Sequence, residues 1–553
     1  MKVIIIGGVA GGATAAARLR RLDENAEIII LERTGYVSYA NCGLPYFLSG
    51  VIADEGKLTL QTPASFKERF NIDVRVRNEA VAIDPDAKTV TVRRLEDGSE
   101  YTEGYDALVY APGARATRPD VPGADDERIL TMRTVEDTFR IRQLIEARNP
   151  RTAIVVGGGF IGLEVAENLV EAGIAVTLLQ RSDQVLRPLD RDMASLIHNK
   201  LRAAGVDLRL GTPVVGYERP GEGEGMRVIT EDGGTLEADL VFIGLGTTPD
   251  TVLAEEAGIE LGRRGAVVVD DHMRTSAPDI YAVGDAVEIV NSVSGRKALI
   301  PLAGPANKQG RIAANNICGI DDVYTGSLGS SIVKVFDLTA AATGLNSFGA
   351  KAAGIDFDSV VLRPASHATY YPGSSSITMK VLFEPATGRI IGAQALGKEE
   401  VAKQVDVFAT AITAGMTAAD LEDLDLAYAP PFSSAKSPVN MAGFIIENLR
   451  AGRVKQFHWD DVAGLPRDGS ITLLDTRTEG EYARGHYDGT VNIPLDSLRG
   501  RLDELDTSKP VYVNCQVGLR GYIACRILMA HGFDCYNLTG GYGFYREVLE
   551  GLS

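Results

Sequence analysis

The sequence predicts an α/β chain of several domains. It reads as two similar strand–turn–helix–strand units, an α+β domain and a smaller C-terminal α/β unit. Three observations predict this. Residues 2–32 run strand, glycine turn, helix, strand, and residues 151–180 repeat that order. Residues 325–450 carry strand patterns first and a helical stretch afterwards. Beyond residue 450, the runs Ile471–Asp475 and Val511–Cys515 open a new α/β pattern. A length of 553 residues agrees, since domains take roughly 100–200 residues each.

The composition excludes several classes. The net charge of −18 argues against general nucleic-acid binding, so an anionic ligand must find a local basic patch. The cysteines Cys42, Cys318, Cys515, Cys525 and Cys535 are an odd, sparse set that makes no disulfide framework. No CxxC pair is present, so no metal is expected. A reducing compartment follows. No apolar run approaches the roughly 18 residues that span a bilayer. The N-terminus enters the strand Val3–Ile6 without a signal-peptide cleavage pattern. The expectation is a cytoplasmic protein with neither membrane nor nucleic-acid partner.

In chain order, the first glycine cluster is Gly7-Gly8-Val9-Ala10-Gly11-Gly12. In a GxGxxG turn the backbone approaches a pyrophosphate at a helix N-terminus. Val9 stands where the middle glycine belongs. Glu32, followed by Arg33, lies about twenty residues on, where an acid can bind ribose hydroxyls. A ligand-free tight turn is the alternative for this cluster alone. The second cluster, Gly157-Gly158-Gly159-Phe160-Ile161-Gly162, matches GxGxxG fully. Two such units in one chain predict two Rossmann-like dinucleotide sites. The acid expected after the second is replaced by Gln180-Arg181, which removes a charge that would repel a 2′-phosphate. NADH and NADPH are both open on this reading.

Ala111-Pro112-Gly113 and the run Thr275–Asp285 complete a set of four motifs in order. With them the chain resembles the pyridine nucleotide-disulfide oxidoreductase family. The resemblance implies FAD, with Asp285 on the ribityl chain, and NAD(P)H as co-substrate. It implies an FAD domain over 1–115 and 246–324, an NAD(P) domain over 116–245 and a dimerisation domain over 325–450. A linker at 451–458 and a last domain at 459–553 follow.

Cys42 lies in Ser38-Tyr39-Ala40-Asn41-Cys42-Gly43-Leu44-Pro45-Tyr46. Relatives with a CxxxxC pair have a partner cysteine where Val37 stands. A lone redox cysteine must form a mixed disulfide with its substrate or an oxidised sulfur species. A buried structural cysteine is the alternative, against which the polar Ser38 and Asn41 argue. The segment resembles the coenzyme A-disulfide reductase subfamily. Thr14, Arg18 and Arg21 share one helix face, which in that subfamily meets coenzyme A. A solvated basic face is the alternative. The resemblance places the segment of Asn307 beside the flavin. It also brings Tyr371, Tyr428 and Lys436 to the active site of a homodimer partner; aromatic interface packing is the alternative.

Residues 459–553 hold Asp475-Thr476-Arg477, Glu481 and Cys515-Gln516-Val517-Gly518-Leu519-Arg520, and resemble a rhodanese domain. Inward-pointing loop amides and Arg520 would stabilise a thiolate or persulfide on Cys515. Cys318, Cys525 and Cys535 read as structural. The expected activity is NAD(P)H-dependent reduction of a coenzyme A persulfide, polysulfide or coenzyme A disulfide at Cys42, with sulfane sulfur handled at Cys515. A disulfide reductase with a vestigial rhodanese, an NADH oxidase or peroxide reductase, and a sulfurtransferase or persulfide sensor remain as alternatives.

Overall fold

The computed structural model describes residues 1–221 and 225–553. The chain forms two compact units, Met1–Val185 with Gly205–Gly329, and Leu186–Ala204 with Ser330–Ser553.

The first unit contains two parallel five-stranded sheets of the same design. In one, Lys2–Ile6 is central. It pairs with Glu27–Glu32 on one side and Ala107–Tyr110 on the other, with Asp73–Val76 and Ile280–Ala282 at the edges. In the other, Thr152–Val156 is central. Ala175–Leu179 and Leu240–Ile243 flank it, with Asp207–Arg209 and Ile129–Leu130 outside them. The strands are near-continuous apolar runs, as burial on both faces demands: Ile4, Ile5 and Ile30 are fully buried. The repeat extends beyond the strand–turn–helix–strand core. In each of these two sheets, the strand Ala107–Tyr110 or Leu240–Ile243 is also preceded in the chain by a three-stranded antiparallel sheet: Asn78–Asp84, Thr89–Arg94 and Glu100–Gly104 for the first, and Val214–Glu218, Met226–Thr230 and Thr235–Ala238 for the other.

The second unit joins an antiparallel sheet to a small parallel one. The antiparallel order runs Ser331–Val335, Leu338–Gly344, Ile390–Gly397, Thr378–Phe383, Asp358–Leu362. The helix Val401–Thr413 covers it, as the helical stretch expected within residues 325–450. In the parallel sheet, Thr472–Asp475 and Val511–Asn514 sit centrally. The residues Lys455–Phe457, within the expected linker, form its edge strand against Cys535–Leu538.

The two sheets of this unit are bolted together. Val361 N donates to Thr539 Oγ1 at 2.8 Å, and Arg363 meets both carboxylate oxygens of Glu547 at 3.0 Å. Helix Arg191–Ala203 braces both: Lys380 is buried between Asp190 and Asp192 at 3.0 and 2.8 Å, while His198 Nδ1 lies 2.9 Å from the carbonyl of Gly551. A buried lysine flanked by two carboxylates keeps its charge compensated.

Candidate active site

The two glycine turns are built alike. Gly7 has φ +95°, and a side chain there would lie 2.2 Å from the Ala111 carbonyl oxygen; at Gly157 (φ +110°) the same clash, 2.5 Å, is with Gly244. Gly12 and Gly162 press their helices onto those turns, each within 1.9 Å of a turn carbonyl for an added Cβ. The departure at Val9 is explained by its counterpart. A Cβ at Gly159 would meet only the Gly244 carbonyl, at 3.9 Å, so the chain itself leaves room for a side chain there.

Glu32 is buried and accepts from Gly8 N and Thr34 N, both at 2.9 Å. Gln180 takes the same place in the second turn. Its Oε1 accepts from Gly158 N at 2.9 Å, and its Nε2 donates to Ser182 Oγ and the Gln184 carbonyl. Arg181 beside it is exposed. A cavity of about 390 Å³ opens at Gly7 and is lined by Glu32, Arg33, Pro112 and Asp250. Arg33 pairs with Asp250 at 2.8 Å. Gly113 adopts φ +75°, and Asp285 pairs with Arg133 at 3.0 Å. The glycine turn, its helix N-terminus and this cleft fit a dinucleotide.

Cys42 is exposed in the short helical turn Asn41–Gly43, ahead of the helix Leu44–Leu48. Partial desolvation of its sulfur, then the charges of Glu164 and Asp285, push the thiol above its ordinary range; Arg133 pulls the other way. In its properly oriented amide, Asn41 bonds to Arg133 through both the carbonyl and the guanidinium. Tyr46 and Glu164, which the sequence reading passed over, meet here, Tyr46 Oη donating to Glu164 Oε1 at 3.4 Å. Burial pushes the Glu164 carboxyl up to about 7, and Glu167 adds to the effect.

A second cavity, about 440 Å³, is lined by Thr14, Arg18, Arg21 and Ser38, with Asn307. The expected helix face and Asn307 therefore converge, and Thr14 Oγ1 donates to Asn307 Oδ1 at 2.6 Å. Lys308 and Arg311 also line it, giving four cations in a chain of net charge −18. The spacing of 307, 308 and 311 along the helix Ala303–Ile317 was the signal for these two. The aromatic rings of Phe66 and Phe70 form the apolar part. Arg18 is held by Asn315 at 2.8 Å and Arg21 is exposed, whereas the neighbouring Arg20 is buried against backbone carbonyls and is structural. Asn41 is not among this cavity's lining residues.

In the second unit, Tyr370, Tyr371 and Tyr428 are 75%, 44% and 46% exposed. The hydroxyls of Tyr370 and Tyr428 lie 3.0 Å apart, while the ring of Tyr371 meets His367 edge-on. Lys436 is exposed on the same domain.

Cys515 ends the strand Val511–Asn514 and is fully buried. Gly518 (φ +98°) turns its N–H onto the sulfur at 3.1 Å, and the amides of Val517 and Gly521 also face it. Asn537 Nδ2 donates to the Gly518 carbonyl at 3.1 Å, in the peptide that follows the one facing the sulfur, and so restrains the turn at Gly518. The loop amides and Arg520 favour the thiolate, and burial opposes them. Burial outweighs the amides and Arg520, and the thiol sits above its ordinary range. Arg520 is itself held by two 2.7 Å bonds to Glu481. Cys525 and Cys535 lie in the core of this domain, and Cys318 caps a helix.

Comparison with known proteins follows this division. Residues 1–310 match the pyridine nucleotide-disulphide oxidoreductase family, residues 330–438 its dimerisation domain, and residues 458–546 the rhodanese-like domain. The coenzyme A disulfide reductase of Staphylococcus haemolyticus is 35% identical over 450 residues, 81% of this chain and all of that protein. The reduced CoADR-RHD of Bacillus anthracis superposes with a TM-score of 0.96 at 44% identity, covering 99% of this chain and 98% of that one. A NAD-dependent persulfide reductase from A. fulgidus gives 0.92 at 40% identity, covering 98% and 100%. The chain belongs to the pyridine nucleotide-disulphide oxidoreductase family, extended by a rhodanese-like domain.

Proposed function

We propose that this chain is an NAD(P)H-dependent flavoprotein that reduces coenzyme A persulfides and disulfides at Cys42, with Cys515 as a carrier of sulfane sulfur. The observation that carries the reading is the four-cation cavity of Arg18, Arg21, Lys308 and Arg311 beginning at Ser38, four residues before a lone exposed cysteine. Such a cradle suits a phosphorylated nucleotide carrying a thiol arm. Gly7, Gly8, Gly11, Gly12, Glu32, Arg33, Ala111, Gly113 and Asp285 would hold FAD. Gly157, Gly159, Gly162, Gln180 and Arg181 would hold NAD(P)H.

The Cys42 thiolate attacks the S–S bond of the substrate. With coenzyme A persulfide, a Cys42–coenzyme A disulfide forms and hydrosulfide leaves. Bound FAD would supply the two electrons of NAD(P)H; with these and two protons the Cys42–coenzyme A disulfide is cleaved, and Cys42 and coenzyme A are both restored to the thiol level. Thr14 and Asn307 orient the thiol arm, and Ser38 and Asn41 flank the reacting sulfur. The similarity to coenzyme A disulfide and persulfide reductases supports both substrate types.

The exposed Tyr370, Tyr371 and Tyr428 support a homodimer in which Tyr371, Tyr428 and Lys436 reach the other copy's site. No helix of the described residues is long and apolar enough to cross a membrane, and the five free cysteines fit a reducing, cytoplasmic setting. NAD(P)H oxidation by the wild type and Cys42→Ser, on coenzyme A persulfide, coenzyme A disulfide and polysulfide with sulfide measured, tests the reading. Oxygen consumption without any thiol would favour an oxidase instead.

A further inference from the structure

Cys42 faces an unusual difficulty for a nucleophilic thiol. Its sulfur is partly desolvated, and the charges that act on it most strongly are carboxylates, Glu164 first. Asp285 is one; Arg133, the opposing cation, is already spent on Asp285 at 3.0 Å. A thiolate forming there adds negative charge to a negative site, so ionisation needs a proton acceptor close by.

One is present. Cys42 and Tyr46 stand four residues apart along the turn Asn41–Gly43 and the helix Leu44–Leu48, which places them on one face. That helix packs on the helix Phe160–Glu171, and Ser49 Oγ pins the two together through Asn168 Oδ1 at 2.5 Å. Between them the Tyr46 hydroxyl meets Glu164 Oε1 at 3.4 Å. On its own helix Glu164 faces Glu167, and across the contact it faces Tyr46 and Cys42. No cation is among the groups that act on it.

We propose that Glu164, through the Tyr46 hydroxyl, holds the proton of Cys42 during thiol–disulfide exchange. This rests on the reading of Cys42 as the nucleophile. The thiol gives its proton to the Glu164 carboxylate, leaving a thiolate and a neutral carboxylic acid. The thiolate displaces one sulfur of the substrate S–S bond, and the departing sulfur leaves with the bond's electron pair. Glu164 returns the proton to that sulfur, which is released as a neutral thiol or hydrogen sulfide. One S–S bond forms, one breaks, and no net charge accumulates. A carboxyl ionising near neutrality is matched to this task.

The test uses the FAD-loaded enzyme, Glu164→Gln and Tyr46→Phe, with flavin absorbance confirming that each variant is folded. Alkylation of Cys42 by iodoacetamide is followed by mass spectrometry from pH 5 to 9, beside turnover on coenzyme A disulfide. In Glu164→Gln the alkylation midpoint moves to lower pH and the inflection near pH 7 disappears, because a negative neighbour has been removed. Turnover moves oppositely and falls about 100-fold, because the proton carrier is lost. Tyr46→Phe lowers turnover but keeps the inflection near pH 7. A Glu164→Gln alkylation profile superimposable on the wild type, or unaltered turnover, overturns the proposal. Full turnover by Cys42→Ser would instead overturn the reading of Cys42, and the two failures are separately visible.

Discussion

Gln180 accepts a 2.9 Å hydrogen bond from the backbone N–H of Gly158, as Glu32 does from Gly8 in the first turn. The glycine turn thus keeps its prop while the second site loses a negative charge. NADPH is therefore expected to be accepted alongside NADH. Gln180→Glu preserves the Gly158 contact and restores the charge, so kcat/KM for NADPH should fall about tenfold more than for NADH, about 1.4 kcal/mol. A wild type already selective for NADH by a thousandfold would contradict this.

The cation cavity makes a prediction about substrate choice. Removing Arg21 or Lys308 should raise KM for coenzyme A substrates by about tenfold each, with kcat nearly unchanged. Turnover on inorganic polysulfide, which has no nucleotide to hold, should barely move. Equal losses on both substrates would show that the cavity serves another purpose.

Glu164 should also mark the stability profile. Its folded carboxyl ionises at about 7 against an ordinary 4.5. The folded chain therefore keeps a proton that the unfolded chain has lost, and stability falls as pH rises through that window. The loss is up to about 3 kcal/mol, complete above pH 7 and absent below pH 4.5. Glu164→Gln should flatten this part of the difference curve, measured as Tm against pH.

The rhodanese-like loop depends on a residue outside it. Asn537 bonds the carbonyl of Gly518, the residue whose N–H faces Cys515, and so restrains both peptides that meet there. Asn537→Ala should cost about 1 kcal/mol and raise the pH at which Cys515 is alkylated, leaving Cys42 alkylation unaltered. Equal profiles for Cys515 in both proteins would count against this support.

The parts of this protein legible in the sequence are those set by local backbone requirements. The duplicated glycine turns, the buried strands Val3–Ile6 and Ala153–Val156, and the face shared by Thr14, Arg18 and Arg21 follow from periodicity and positive φ. What escaped were relations across the fold. Glu164 lies 122 residues beyond Cys42 and reaches it only because two helices pack. The pairing of Arg520 with Glu481 was not readable either, because the two lie 39 residues apart in the chain. Burial of Cys515 likewise depends on surrounding elements rather than on its loop motif.

The most direct test of the account is sulfide release from coenzyme A persulfide by FAD-loaded wild type, Cys42→Ser and Cys515→Ala, with NADH oxidation recorded together. The account predicts about one sulfide per NADH in the wild type, none in Cys42→Ser, and near-normal rates in Cys515→Ala on this small substrate, which reaches Cys42 without a carrier. Sulfide release that survives the loss of Cys42 and vanishes with Cys515 would contradict it.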